Sequence, residues 1–424
     1  MDQEGWGVGD SRDRTTDEAD RTRQARSDRW SRRGVLTAFG VASLATVAGC
    51  AGTAGARTGS GGAGASAAAS KAEVTVTPAS GATAADFTSP VTVRVSGATL
   101  ASVTVTAGDG GDGLKGAFND ARTTWTSSGN PLSDTDYTVT ARVEGAESAH
   151  TSRFTTKKPD ATFVGYFTPE DGSTSGVGMP VSINFTHAVS DRAAVQKAIT
   201  VTADPGVEIA GHWFGDTRLD FRPASYWAAG TKITLKLRLK DVQGADGVYG
   251  TQDKDVTFHI GREQISVVDL SKKSMTVSRD GKEIATYDVT GGGSGYETWA
   301  GKMVISERFK ETRMDSTTVG LGDEYDIDDV PHAQRLTTSG TFIHGNYWAA
   351  SSIFGTSNTS HGCIGLRDAQ GADDPSTPGA KFYKSSMVGD VVEVRRSGED
   401  TVDPSNGLNG WNLSWSDWKA GSAV

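Results

Sequence analysis

Cysteine is scarce. The 424 residues contain two, Cys50 and Cys363. At most one bridge is available, so no disulfide framework holds this chain together, and each cysteine needs its own chemical reason. Cationic surface is scarce too. Asp and Glu outnumber Lys and Arg by 52 to 42, a formal net charge of −10. The first 49 residues carry eight arginines and eight acidic residues, so the rest of the chain keeps the whole of that charge. A chain without a Lys/Arg-rich stripe neutralises few phosphates, which argues against nucleic acid as a partner. Apolar runs of spanning length are missing beyond the N-terminus, which argues against a helical membrane span in the body of the chain. Hydrophobic residues make up 36%, and glycine fills 53 positions. That material suits small β domains with long loops, and the length calls for two to four of them.

The N-terminus reads as an address. Residues 1–33 are polar and charged. Ser31-Arg32-Arg33-Gly34-Val35-Leu36 then opens a short apolar run that ends in Val47-Ala48-Gly49-Cys50. The paired arginines resemble a twin-arginine export signal, and the run is short for a membrane span. Val47–Cys50 resembles a bacterial lipobox, which implies cleavage after residue 49, lipidation of Cys50 and anchorage on the outer face of the cytoplasmic membrane. Residues 50–71 are almost wholly Gly, Ala, Ser and Thr, a flexible tether with a reach on the order of 25 Å.

From Glu73 the pattern changes to period two. Val74–Thr77, Val91–Val95, Val103–Thr106 and Tyr137–Val143 alternate β-branched with smaller or polar residues. Residues 159–262 repeat the grammar. Pro78-x-x-Gly81 followed by Pro90-Val91 is matched by Pro169-x-x-Gly172 followed by Pro180-Val181. Two immunoglobulin-type sandwiches, 72–158 and 159–262, are expected. Their role reads as a spacer, with His212, Trp213, Tyr226 and Trp227 as candidate contacts if they bind a glycan or another partner.

Residues 263–396 continue in strands, with Asp280-Gly281 as a hairpin turn. The polar stretch 310–338 reads as loop or lid. Thr377-Pro378 reads as a helix start, giving a helix over 378–387. Trp411, Trp415 and Trp418, in the closing segment 397–424, read as a flap packed on the core. The chemistry concentrates in Ser339–Trp348 and Ser360–Gly365. A cysteine attacks carbonyls as its thiolate, and a histidine nearby takes the proton. Phe342-Ile343 reads as the end of a buried strand presenting His344. Gly362 lets the backbone approach a developing oxyanion. His344, His361 and Cys363 also have ligand types that suit zinc, but no fourth ligand stands at useful spacing, so no cofactor is expected.

His344, then Ser360-His361-Gly362-Cys363, resembles the signature of bacterial L,D-transpeptidases. The resemblance runs from about Gly261 to the C-terminus and takes in Met314-Asp315-Ser316, Tyr325 and the closing tryptophans. The paired immunoglobulin-like modules resemble those of actinobacterial members. The resemblance implies that Cys363 is the nucleophile, His344 the general base, and the Ser339 carbonyl the group that orients His344. It places the amides of Gly362 and Cys363, with the Tyr325 hydroxyl, at the oxyanion. Met314, Tyr325 and Trp348 would line the substrate channel, with Gly340, Ser360 and His361 close by. Peptidoglycan stem peptides are the implied substrates, 3→3 cross-links the product, and carbapenem-type β-lactams the inhibitors. Family members often carry Asn two residues after the cysteine, where this chain has Gly365, which puts the support of that loop in question. A carboxypeptidase using the same thioester, or a silent wall-binding lipoprotein, are the alternatives. The acidic cluster Asp323, Glu324, Asp326, Asp328 and Asp329 reads as a solvated loop or a guide for a cationic acceptor amine.

Overall fold

The computed structural model describes residues 72–108 and 110–424. The expected export signal, the expected lipidation of Cys50 and the expected tether fall on residues 1–71, outside the described residues. The first module pairs Glu73–Thr77, Thr92–Ser96, Thr124–Ser127 and Gly116–Phe118 in one sheet. Leu100–Ala107, Asp136–Val143 and His150–Thr155 form the facing sheet. The inward residues of their alternating patterns, among them Val91, Val93, Leu100, Trp125 and Val139, make one core. The second module has its own core, including Val181, Ile183, Trp213, Leu235 and Phe258.

The internal repeat is visible in the geometry. Pro78 and Pro169 both follow cis peptide bonds, and Gly81 (φ 82°) and Gly172 (φ 72°) are both left-handed. Each of these glycines donates its N–H across 2.7 Å to the last strand of its module, Gly81 to Arg153 and Gly172 to Thr257.

The candidate glycan contacts on the second module are not available for that role. Trp213 and Trp227 are buried. His212 Nδ1 bonds to the Trp418 carbonyl at 2.8 Å, and Tyr226 packs edge-on against Trp411. The C-terminal segment therefore packs on both domains: Val402, Asn409 and Asn412 bind the catalytic domain, and Trp411 and Trp418 reach the second module. Trp411 Nε1 donates to Gly178 O and Trp418 Nε1 to Ala210 O. Arg222 sits among Trp411, Trp415 and Trp418. The reason is chemical: indoles bury area and keep one N–H to satisfy, and the strand edges of the second module supply carbonyls.

The catalytic domain is built on a nine-stranded sheet. Its strands, from one edge to the other, are Gly301–Val304, Val391–Arg395, Gln264–Asp269, Ser274–Arg279, Lys282–Thr290, Ile364–Arg367, Phe342–Asn346, Asp326–Arg335 and Glu307–Asp315. Asp280-Gly281 makes the expected tight turn between Arg279 and Lys282. The helix begins at Pro378 under a Thr377 cap and ends at Ser385, two residues short of the expected end. The stretch 310–338 is not a loop. It forms a hairpin of the last two strands, with a bulge between Thr312 and Met314, and only the tip between them is irregular. Charge hid this. Asp315, Asp326 and Asp328 all surround Arg313, which neutralises the outer face, while Val330 and Ala333 are fully buried.

Candidate active site

Two neighbouring strands carry the reacting groups. Phe342–Asn346 runs parallel to Ile364–Arg367, with His344 opposite Gly365 and Ile343 opposite Ile364. Ile343 and Ile364 are wholly buried in the core beneath. That burial fixes the register, because a slip by one residue would turn both strands inside out. His344 is thereby held within a buried strand, and Cys363 sits at the entrance of its neighbour. Both line a cavity of about 260 Å³, together with Met314, Tyr325, Trp348 and His361.

The Cys363 thiol donates to Gly340 O at 3.6 Å and accepts from Phe342 N at 3.4 Å. No hydrogen bond joins it to His344 among the described residues. Burial pushes the thiol up to about 11. Burial also lowers His344, opposed by its bond to Gly345 and by the Asp368 charge. Both directions favour a neutral thiol beside a neutral imidazole before substrate arrives.

His344 is oriented by its own neighbour. Its Nδ1 bonds to Gly345 O at 2.7 Å. Ser339 does not do this job. It lies exposed in a turn, its N–H donating to Asn406 Oδ1 and its Oγ bonded to Thr337 and Asn406. The ring bends back to the next carbonyl in its own strand, so no carbonyl from a separate turn is needed. With Nδ1–H donated to a carbonyl, Nε2 is left as the acceptor. Trp348 stacks on the imidazole, with centroids 5.7 Å apart and planes at 16°.

Around the sulfur, Gly362 (φ 106°) and Gly340 (φ 98°) take the left-handed backbone that glycine permits. The Gly362 N–H is directed to Ser360 Oγ at 3.3 Å, which removes it from the oxyanion site expected of it. Ser360 Oγ donates in turn to Cys363 O at 2.6 Å, tightening the loop. Among the described residues the Cys363 N–H and the Tyr325 hydroxyl make no protein hydrogen bond, so both remain free to donate. The Tyr325 hydroxyl is pushed up to about 12, mainly by burial and then by the nearby Cys363. Gly365 is closely packed: a Cβ there would stand 2.8 Å from Thr290 Cγ2, so a larger residue needs the Thr290 side chain to shift.

The hairpin tip is tied to the cysteine loop. Glu324 pairs with His361 Nε2 at 3.1 Å and accepts from the Tyr296 hydroxyl at 2.8 Å. Asp329 accepts from Gln370 and from the Tyr347 hydroxyl. With Asp326 and Asp328 on Arg313, most of the acidic cluster is engaged internally rather than free to guide an amine. Sequence reasoning missed Gly345 as the orienting carbonyl and Glu324 as the tie. The Glu324 tie depends on which segment folds alongside, whereas Gly345 is simply the next residue after His344 in its own strand.

A β-rich domain with one cysteine and one tethered histidine on adjacent strands, facing an apolar cavity, defines a cysteine-dependent acyl-transfer enzyme. Comparison with known proteins agrees. Residues 263–373 match the L,D-transpeptidase catalytic domain and residues 82–243 the bacterial Ig domain. L,D-transpeptidase 2 of Mycobacterium tuberculosis (strain CDC 1551 / Oshkosh) is 30% identical over 359 residues, covering 83% of this chain and 85% of that protein. L,D-transpeptidase 5 of Mycobacterium tuberculosis (strain ATCC 25618 / H37Rv) is 31% identical over 363 residues, covering 83% and 77%. Among solved structures, LD transpeptidase LdtMt1 in complex with imipenem aligns with 56% of this chain and 100% of that one, at 26% identity and a TM-score of 0.47. The chain belongs to the L,D-transpeptidase family, cysteine-dependent transpeptidases that cross-link peptidoglycan.

Proposed function

We propose that this enzyme forms 3→3 cross-links through a thioester on Cys363, from the outer face of the cytoplasmic membrane. The observation that carries the reading is the pairing of the Cys363 and His344 strands, with Nδ1 of His344 tied to Gly345 O and both side chains lining one apolar cavity. The carbonyl of the third residue of a donor tetrapeptide enters beside the sulfur. His344 Nε2 takes the thiol proton as sulfur bonds to that carbon. The Cys363 N–H and the Tyr325 hydroxyl stabilise the resulting oxyanion. The C–N bond to the terminal D-residue breaks, and His344 returns the proton to the departing amine. An amine on a second stem then attacks the thioester, giving its proton to His344, and the thiol is restored. A neutral pair suits this sequence, since the proton moves only when a carbonyl is present to receive the sulfur.

The sequence around Cys50 supports export and lipid anchoring. The two modules, joined to the catalytic domain through the C-terminal segment, would hold the site away from the membrane. Carbapenem-type β-lactams, presenting a strained carbonyl, would acylate the same sulfur. The decisive experiment incubates the full chain with a disaccharide-tetrapeptide and reads the products by mass spectrometry. A cross-linked dimer, lost in Cys363→Ala and in His344→Ala, is expected. Tripeptide alone would indicate hydrolysis of the thioester, and unchanged substrate would remove the catalytic reading.

A further inference from the structure

We infer that Asp368 is a positioning residue for the histidine base. It is a buried carboxylate that packs behind Gly345, steadies the carbonyl to which His344 is tied, and supplies negative charge when His344 holds the proton taken from Cys363. The inference rests on the reading of Cys363 and His344 given above.

Asp368 directly follows the Ile364–Arg367 strand, and its side chain has no exposed surface. A carboxylate so placed needs partners, and it has them. Oδ2 meets His332 Nδ1 at 2.7 Å. Oδ1 accepts from the Thr377 hydroxyl at 2.6 Å and from Ala369 N at 2.9 Å. Asp368 N itself donates to Asn346 O, beside Gly345. The space is made by two glycines. A Cβ on Gly345 would come 2.1 Å from Asp368 Oδ2, and a Cβ on Gly379 would come equally close. The carboxylate therefore lies directly against the backbone of the residue whose carbonyl holds His344, and its charge reaches that imidazole.

The other titratable or charged groups packed here are His332, Tyr383 and Arg308. His332 comes from the Asp326–Arg335 strand, in a left-handed conformation (φ 52°), and its ring packs on Tyr383 of the helix at 5.0 Å. Arg308 covers the same tyrosine at 4.0 Å. On the cavity side His344 meets Trp348, which is neutral. The arrangement gives the base two supports, a carbonyl that sets its tautomer and a carboxylate one residue further back that compensates its charge.

The test follows Cys363 acylation by imipenem in the full chain, read by mass spectrometry across about pH 5 to 9, on the acid limb governed by a general base. Asp368→Asn keeps the shape and loses the charge. It should move the acid limb down by about one pH unit and lower the plateau by roughly two- to tenfold, according to how far the proton has moved when a base has lost about one pKa unit. His332→Gln keeps a hydrogen-bonding group beside Asp368 and leaves the carboxylate in place, so its limb should stay closer to wild type than that of Asp368→Asn. A limb that stays put in Asp368→Asn, with only the plateau or the melting temperature reduced, overturns the inference, as does an equal downward move in His332→Gln, which keeps the carboxylate. Should Asp368→Asn fail to fold, Asp368→Ser, which also removes the charge, decides: a downward move supports the inference and no move overturns it. Failure of the wild-type chain to acylate at Cys363 would instead refute the catalytic reading itself.

Discussion

Replacing Trp418 by alanine should loosen the joint between the second module and the C-terminal segment. The indole has 0% exposure. It stacks on His212 with centroids 4.8 Å apart, meets Phe214 edge-on, lies under the Arg222 guanidinium at 4.3 Å and donates Nε1–H to Ala210 O at 2.9 Å. Burial of a large aromatic sets the scale, because Trp→Ala in a core costs about 3–5 kcal/mol. Part of that loss is offset. Arg222 is buried, its pKa is lowered to about 10 by desolvation, and its Nε lacks a partner. Water entering the vacated space would solvate it. The lower end, about 3 kcal/mol, is therefore expected. At about 2–4 °C per kcal/mol for a unit of this size, the melting temperature should fall by roughly 6–12 °C. Differential scanning calorimetry on the full chain measures it. A melting temperature within about 1 °C of wild type would refute the reasoning, since it would mean that these contacts contribute nothing net.

Other consequences are as direct. Alkylation of free Cys363 by iodoacetamide should be slow at neutral pH and climb with pH beyond the ordinary thiol midpoint of roughly 8.5, because burial pushes this thiol up to about 11. A midpoint near neutrality would show a preformed thiolate and overturn the neutral-pair mechanism. Glu324→Gln removes the charge that ties the hairpin tip to His361, a partly exposed pair 3.1 Å apart. Stability should change by less than about 1 kcal/mol, while imipenem acylation slows severalfold; equal rates would show that the tie does not order the cavity. Gly340→Ala places a Cβ 2.3 Å from Val319 Cγ1 at a φ of 98°. The strain should cost about 1–3 kcal/mol by chemical denaturation and displace the carbonyl that accepts the hydrogen bond of the Cys363 thiol.

How much of this was legible in the chain differs from element to element. Strands such as Lys232–Arg238 and Asp136–Val143 announce themselves, since a half-buried strand must alternate and theirs do. The strand Asp326–Arg335 hid itself, because its acidic residues look like loop until Arg313 is brought opposite them. His332 and Gln334 look like surface residues, yet both are buried with partners supplied from elsewhere: Asp368 for the first and Ser386 for the second. His212, Trp213, Tyr226 and Trp227 read as candidate partner contacts, but the returning C-terminal segment covers His212 and Tyr226, while Trp213 and Trp227 lie in the second module's own core.

The sequence by itself determined the chemistry. A single cysteine beyond the N-terminus, in Ser-His-Gly-Cys, with a histidine at the end of an apolar pair, specifies a nucleophile and a base, because side-chain reactivity is a property of residue type. Tertiary structure alone decided what surrounds them. Which carboxylate lies behind the imidazole, and which carbonyl and amide the thiol meets, are matters of distances of a few ångströms between segments far apart in the chain. Hydrogen bonds and charges act only at that range, so their partners were set when the strands paired and the glycines let the backbone close.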